Sequence, residues 1–161
     1  MMVKFVKKLP ERLMGQCHTN HLYLLFFIAV TLPTESMARE NEPPIRSPKE
    51  VDGATKVNAE ELINLANKIP TLILIDSRLT TNRSFGYIES SVTLSDVETN
   101  CESLEKIIPT TTSPVLFYCN GPKCGRSVIA VKIAKGCGFK DLYWFRGGIE
   151  EWKAKNYPLV K

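Results

Sequence analysis

Histidine is almost missing from this chain of 161 residues: there are two, His18 and His21, both near the start. From Arg39 onward there is none. That excludes a cysteine–histidine dyad there and most zinc sites, and no metal is expected. A long apolar run is missing as well. A membrane-spanning helix takes roughly 20 apolar residues, and Leu22–Leu32, interrupted only by Thr31, has eleven. Strong charge of one sign is also lacking. The net charge is +4, and beyond residue 38 the balance is 17 basic against 15 acidic residues, with no basic stripe. Such a field is too weak to draw nucleic acid. No internal repeat is visible.

What is present begins with an export pattern. Lys4, Lys7, Lys8 and Arg12 form a positive n-region ahead of the apolar run, Pro33 breaks the run, and Ser36-Met37-Ala38 is a small-x-small cleavage site. Residues 1–38 therefore read as a signal peptide of an exported, periplasmic protein. The alternative is an uncleaved anchor facing the periplasm, the one case in which a membrane would be a partner. Cys17 precedes the apolar run, which argues against lipidation. After cleavage at Ala38 the chain keeps Cys101, Cys119, Cys124 and Cys137. An even count in an oxidising compartment invites disulfides. As a staple, a Cys119–Cys124 bridge would constrain little chain; as a redox pair it is a separate matter.

Residues 39–55 hold Pro43, Pro44, Pro48 and Gly53 among charges and read as an extended linker to a domain over 56–161. Asn58 can cap a helix over 59–68 that Pro70 ends. Leu72–Ile75, Val115–Tyr118 and Leu142–Phe145 are short apolar runs expected as buried strands, with Val92–Leu94 a weaker one. Helices are expected from Ser95 to Ile108, Ser127 to Lys135 and Ile149 to Lys155, with Gly136 and Gly138 stopping the second. Strands alternating with helices predict an α/β fold with a mostly parallel central sheet flanked by helices. Sites in such sheets lie beyond the carboxyl ends of the strands. Asp76, Arg78, Cys119 and Gly147 all fall at strand ends.

The stretch Cys119-Asn120-Gly121-Pro122-Lys123-Cys124-Gly125-Arg126-Ser127 concentrates the chemistry. A cysteine at a strand end, facing a loop that leads into a helix N-terminus, sits where a thiolate is stabilised. Gly121 and Gly125 permit positive φ, so the loop is expected to turn successive N–H groups inward as an anion nest. Lys123 and Arg126 add charge, and Arg126 can grip an oxyanion in two places. Ser127 can cap the helix or reach the thiolate. Asp76 and Arg78 are supporting candidates, Asp76 as a strand-closing residue or an acid and Arg78 as a residue that positions the loop. Cys137, flanked by glycines, reads as structural, and Cys101 lacks reactive surroundings.

With these residues in place, the chain resembles the rhodanese (sulfurtransferase) superfamily. The resemblance rests on four motifs in order: Ile75-Asp76-Ser77-Arg78, Gly86-Tyr87-Ile88-Glu89-Ser90-Ser91, Tyr118-Cys119 through Arg126-Ser127, and Phe145-Arg146-Gly147-Gly148 through Trp152. It covers residues 57–159 and implies a three-layer rhodanese-like sandwich. It also implies transfer of a sulfane sulfur, through a persulfide on Cys119, from a small anionic donor such as thiosulfate to a thiol or cyanide acceptor, with no cofactor. Two departures stand out. The family's histidine in the second motif is Tyr87 here. The loop, with six residues between Cys119 and Arg126, is longer than in the usual sulfurtransferases.

Cys124 opens further readings. It can be the reactive cysteine itself, or it can resolve a persulfide or sulfenic acid on Cys119 as a disulfide. A redox-switching or non-catalytic module using the pair, with a redox protein as partner, is one alternative to the sulfurtransferase. Phosphatase or arsenate reductase chemistry in the wide loop is another, and it would need Asp76 as general acid.

Overall fold

The computed structural model describes residues 46–161. The expected signal segment 1–38 and the first part of the linker lie outside the described residues. Within them no helix is long and apolar enough to cross a membrane.

The elements run β1 (Thr55–Val57), α1 (Ala59–Lys68), β2 (Ile73–Asp76), a 3-10 turn (Thr80–Phe85), β3 (Val92–Thr93), α2 (Cys101–Glu105), β4 (Val115–Tyr118), α3 (Arg126–Gly136), β5 (Leu142–Phe145) and α4 (Gly148–Ala154). The five strands form one sheet in the order β1-β5-β4-β2-β3. Every pairing is parallel. The expected α/β fold is therefore present, with β4 at the centre.

Strand alternation divides the side chains between two cores. Ile75, Val115, Phe117, Leu142 and Trp144 pack with Leu104 and Ile108 and with Val128, Val131 and Ala134 of α3. Leu74, Leu116, Tyr118 and Phe145 face the other way, onto Leu62 of α1 and Ile149 and Trp152 of α4. Fully burying side chains of this size contributes about 1.5–3 kcal/mol each. The central strand, buried at all four positions, has no face left for water.

Local signals set the helix ends. Asn58 caps α1 in a reciprocal box with Glu61, at 2.9 and 2.7 Å. The helix expected from Ser95 to Ile108 shrinks to Cys101–Glu105. Its first residues make turns instead: the Ser95 carbonyl accepts from both the Thr99 N–H (3.0 Å) and the Thr99 hydroxyl (2.8 Å), and Asn100 starts a new capping box with Ser103. Short polar side chains here compete with helical bonding.

The linker reading fails over its described part. Ser47 and Val51 are buried, and Thr55 already belongs to β1. Arg146 holds this segment, donating from Nε to the Pro48 carbonyl at 2.7 Å. β1 hides from hydropathy because only Val57 of its three residues is buried at the sheet edge.

A disulfide joins Cys101, the first residue of α2, to Cys137 just past α3, with Cα atoms 5.4 Å apart. Cys137 is thus structural, as expected, and Cys101 is its partner. The pair encloses a sequence separation of 36 residues. Replacing both with serine should lower the unfolding free energy by about 3–4 kcal/mol in urea titrations without reductant. With excess reductant the variant and the parent should coincide.

Candidate active site

Cys119 follows the buried β4 at its carboxyl end and is only 2% exposed. The loop from Asn120 to Gly125 leads from it into α3, whose N-cap position is Gly125. Its backbone is clamped from outside. The Cys119 carbonyl accepts from Ile149 N–H at 3.0 Å, and the Asn120 carbonyl from Glu150 N–H at 2.7 Å. The Pro122 carbonyl accepts from the Ser47 hydroxyl at 2.8 Å. In a trans peptide the C=O of one residue and the N–H of the next point in opposite directions. The N–H groups of Asn120, Gly121 and Lys123 are therefore turned away from these clamps, and none has an acceptor among the described residues. Three loop N–H groups are thus left without an acceptor, but not by the expected route of positive-φ glycines. Neither Gly121 nor Gly125 has positive φ.

Gly121 and Gly148 mark close approaches instead. A Cβ on Gly121 would stand 2.5 Å from the Glu150 carboxyl carbon. Gly148, at φ +53°, is tighter still: a Cβ there would run into the Cys119 carbonyl oxygen and sit 2.9 Å from the Asn120 carbonyl carbon. Only a residue without a side chain lets α4 donate to the loop from this distance.

Cys119 and Cys124 are joined as a disulfide, with Cα atoms 6.4 Å apart. A turn closes the loop between them, Cys124 N–H donating to the Gly121 carbonyl at 2.9 Å. Cys124 is half-buried and lines an open cavity of about 380 Å³ with Asn120, Lys123, Arg126 and Asp96. Asn120 and Lys123 are exposed. Arg126 is engaged with Asp96, an ion pair between loop and chain that the sequence did not flag. Ser127 neither caps α3 nor faces sulfur; its hydroxyl accepts from Trp144 Nε1–H at 3.0 Å.

The supporting pair lies on the other side of the sheet. Arg78 grips Asp76 through Nε (2.8 Å to Oδ1) and Nη2 (2.6 Å to Oδ2), and Nη2 also donates to the Gly86 carbonyl at 3.0 Å. Both residues are buried. Burial alone would lower the Arg78 pKa, but the hydrogen bonds and charge of Asp76 outweigh it and the net shift is upward. Asp76 is thus occupied as a structural anchor, which removes the general acid that phosphatase chemistry would require. Beside it, the Tyr118 hydroxyl meets the Ser91 hydroxyl at 2.8 Å and accepts from Ile88 N–H at 3.3 Å. The drifted second motif therefore docks on Tyr118, while Tyr87 stacks under the Arg83 guanidinium.

Ser77 is a site residue that sequence reasoning missed. It is fully buried, and its hydroxyl is the one buried side-chain polar atom without a partner among the described residues. The β2–β4 register pairs Asp76 with Tyr118, and Ser77 N–H continues it to the Tyr118 carbonyl at 2.9 Å. Continued alternation sets Ser77 beside Cys119 on the α3 face. An orphaned buried hydroxyl in a native core calls for an explanation, and here it lies on the same face as the cysteine.

Comparison with known proteins yields a family match: the family described as Rhodanese-like domain covers residues 58–155. No curated protein sequence matches. Among solved structures, a protein from Bacillus halodurans superposes with a TM-score of 0.59 at 19% identity, covering 66% of this chain and 77% of its own. A rhodanese-related protein from Thermoplasma volcanium gives 0.53 at 23% identity, covering 66% and 97%. A thiosulfate sulfurtransferase from Pseudomonas aeruginosa gives 0.57 at 19% identity, covering 66% of this chain and 20% of its own.

Two outcomes follow from the geometry. Gly148→Ala forces a left-handed conformation on a residue with a side chain, which costs about 1–3 kcal/mol, and it also pushes α4 off the loop. Denaturant titration should show that loss, and alkylation of reduced Cys119 should slow. The second concerns alkali. Burial, then the nearby Asp76 charge, raises the Tyr118 pKa above its ordinary value of about 10, partly countered by its bond to Ser91. With the folded-state pKa above the unfolded one, this contribution is complete below about pH 10 and is lost as pH rises from there toward the folded value. Tyr118→Phe should flatten that alkaline decline in stability against pH.

Proposed function

The chain belongs to the rhodanese-like domain family, and on that premise we propose that it is a sulfurtransferase with Cys119 as its nucleophile. The observation that carries this reading is the position of Cys119 at the carboxyl end of the central strand, beneath a loop whose Asn120 and Gly121 N–H groups are turned away from α4 and whose Lys123 N–H is turned away from Ser47. Charge building up on sulfur or on a bound oxyanion meets these donors and the start of α3. With the loop reduced, the Cys119 thiolate attacks the outer sulfur of a donor such as thiosulfate. The donor's S–S bond breaks, its electron pair leaves with sulfite, and Cys119 holds a persulfide. A thiol or cyanide then takes the outer sulfur and returns the thiolate. The unpartnered Ser77 hydroxyl, on the same face as Cys119, supports a donor to the sulfur anion in this reading. No step asks for a cofactor.

The Cys119–Cys124 bond favours a second reading, in which the pair is a redox switch and sulfur transfer is incidental. Export to the periplasm fits either reading, since structural disulfides persist mainly in oxidising compartments. This assignment rests on the n-region, apolar run and cleavage site of residues 1–38.

Cys119→Ser decides between them. For a sulfurtransferase, thiocyanate formation from thiosulfate and cyanide by the pre-reduced protein falls to the uncatalysed background. Unchanged turnover in that variant removes Cys119 from the role, and absent turnover in the parent leaves the switch. Ser77→Ala should keep the fold but shift the pH dependence of Cys119 alkylation to higher pH.

A further inference from the structure

We propose that this protein releases the sulfur it accepts as sulfide, with Cys124 as the resolving thiol, so that the oxidised loop is the product of that step. The inference rests on the persulfide reading above. Three observations carry it. First, the folded backbone brings Cys119 and Cys124 within bonding reach while the clamps from Ile149, Glu150 and Ser47 and the turn from Cys124 to Gly121 are all in place. The intramolecular thiol therefore needs no rearrangement of the loop to reach Cys119, an advantage no external acceptor has. Second, among the described residues no other thiol competes, because Cys101 and Cys137 are bonded to each other. Third, the two sulfurs differ in access. Cys119 is 2% exposed, whereas Cys124 lines the open cavity of about 380 Å³.

The chemistry balances. The Cys124 thiolate attacks Sγ of the Cys119 persulfide, and the bond from that Sγ to the outer sulfur breaks. Its electron pair leaves with the outer sulfur as sulfide, and the Cys119–Cys124 disulfide forms. The sulfane sulfur gains two electrons, and the two cysteines supply them. A small thiol then restores the pair. Its thiolate attacks the accessible Sγ of Cys124, and Cys119 departs as thiolate, as access and leaving-group stability favour. A second thiol cleaves the mixed disulfide and frees Cys124. The sum converts thiosulfate and two thiols into sulfite, sulfide and one external disulfide. Lys123, exposed at the cavity and without a carboxylate partner among the described residues, favours a thiol that carries negative charge.

The test uses the full chain, reduced only until the loop bond opens while peptide mass shows Cys101–Cys137 still bonded, freed of reductant without oxygen, then given thiosulfate alone. The parent should yield one equivalent each of sulfite and sulfide, and its loop peptide should carry the Cys119–Cys124 disulfide. Cys124→Ser, and Cys124→Ala as a second variant, should yield sulfite without sulfide and keep a persulfide on Cys119. Adding 2-mercaptoethanol should make sulfide release catalytic in the parent. A parent that holds its persulfide with Cys124 still a free thiol overturns the resolving role alone. Variants and parent that all fail to take up sulfur overturn the persulfide reading together with it.

Discussion

The two hydrogen bonds from Ile149 and Glu150 to the carbonyls of Cys119 and Asn120 fix which way the reactive loop presents its polar groups. A free loop of six residues would average its peptide dipoles to nothing useful. With two successive carbonyls drawn toward α4, and the Pro122 carbonyl drawn toward Ser47, the following amide hydrogens point away from those partners. The arrangement tolerates no side chain at residue 148, where a Cβ would occupy the space of the Cys119 carbonyl. The orientation of these peptides is thus a consequence of helix docking more than of glycine flexibility in the loop itself. Preorganisation of this kind is where enzymes gain most from fixed dipoles.

Charge at the site is spent on position as much as on ligand. Arg126, the residue best suited to grip an oxyanion, is tied to Asp96, and Arg78 is tied to Asp76. Both pairs join segments that the sheet alone leaves unconnected: β2 to the 86–91 segment through the Gly86 carbonyl, and the turn after β3 to the start of α3. Breaking a buried pair such as Asp76–Arg78 leaves one charge stranded, which costs about 3–5 kcal/mol. A carboxylate held this way is a girder. Its place at the carboxyl end of the strand had made it a candidate acid.

The strong apolar runs were legible because a strand buried on both faces has little room for polar residues, and β2, β4 and β5 emerge where those runs lie. The Asn58 cap was legible for the same local reason. The cysteine, its loop and the helix after it were legible because strand end, loop and helix are contiguous in the chain. Features made by distant parts of the chain were not. Edge strand β1 shows one buried residue in three, the Cys101–Cys137 bond joins segments 36 positions apart, and Ser47 reaches the loop from 75 positions away. Asp96 gave no signal, since a lone acid after a weak strand is ordinary surface. Ser77 was hidden in plain view inside the first motif, because only burial and the lack of a partner set its hydroxyl apart.

The spacing of the two cysteines in the loop also bears on how the protein reaches its native state. Among the described residues four cysteines can pair in three ways, and the chain-entropy cost of closing each ring grows with the length enclosed. Cys119 and Cys124 are five positions apart, whereas Cys101 and Cys137 are separated by 36. During oxidative folding the short ring closes at the least entropic cost, and once it has closed Cys101 and Cys137 are left with each other. The short ring thereby acts as its own protecting group, keeping Cys119 and Cys124 out of wrong crosslinks until the sheet that supports them has formed.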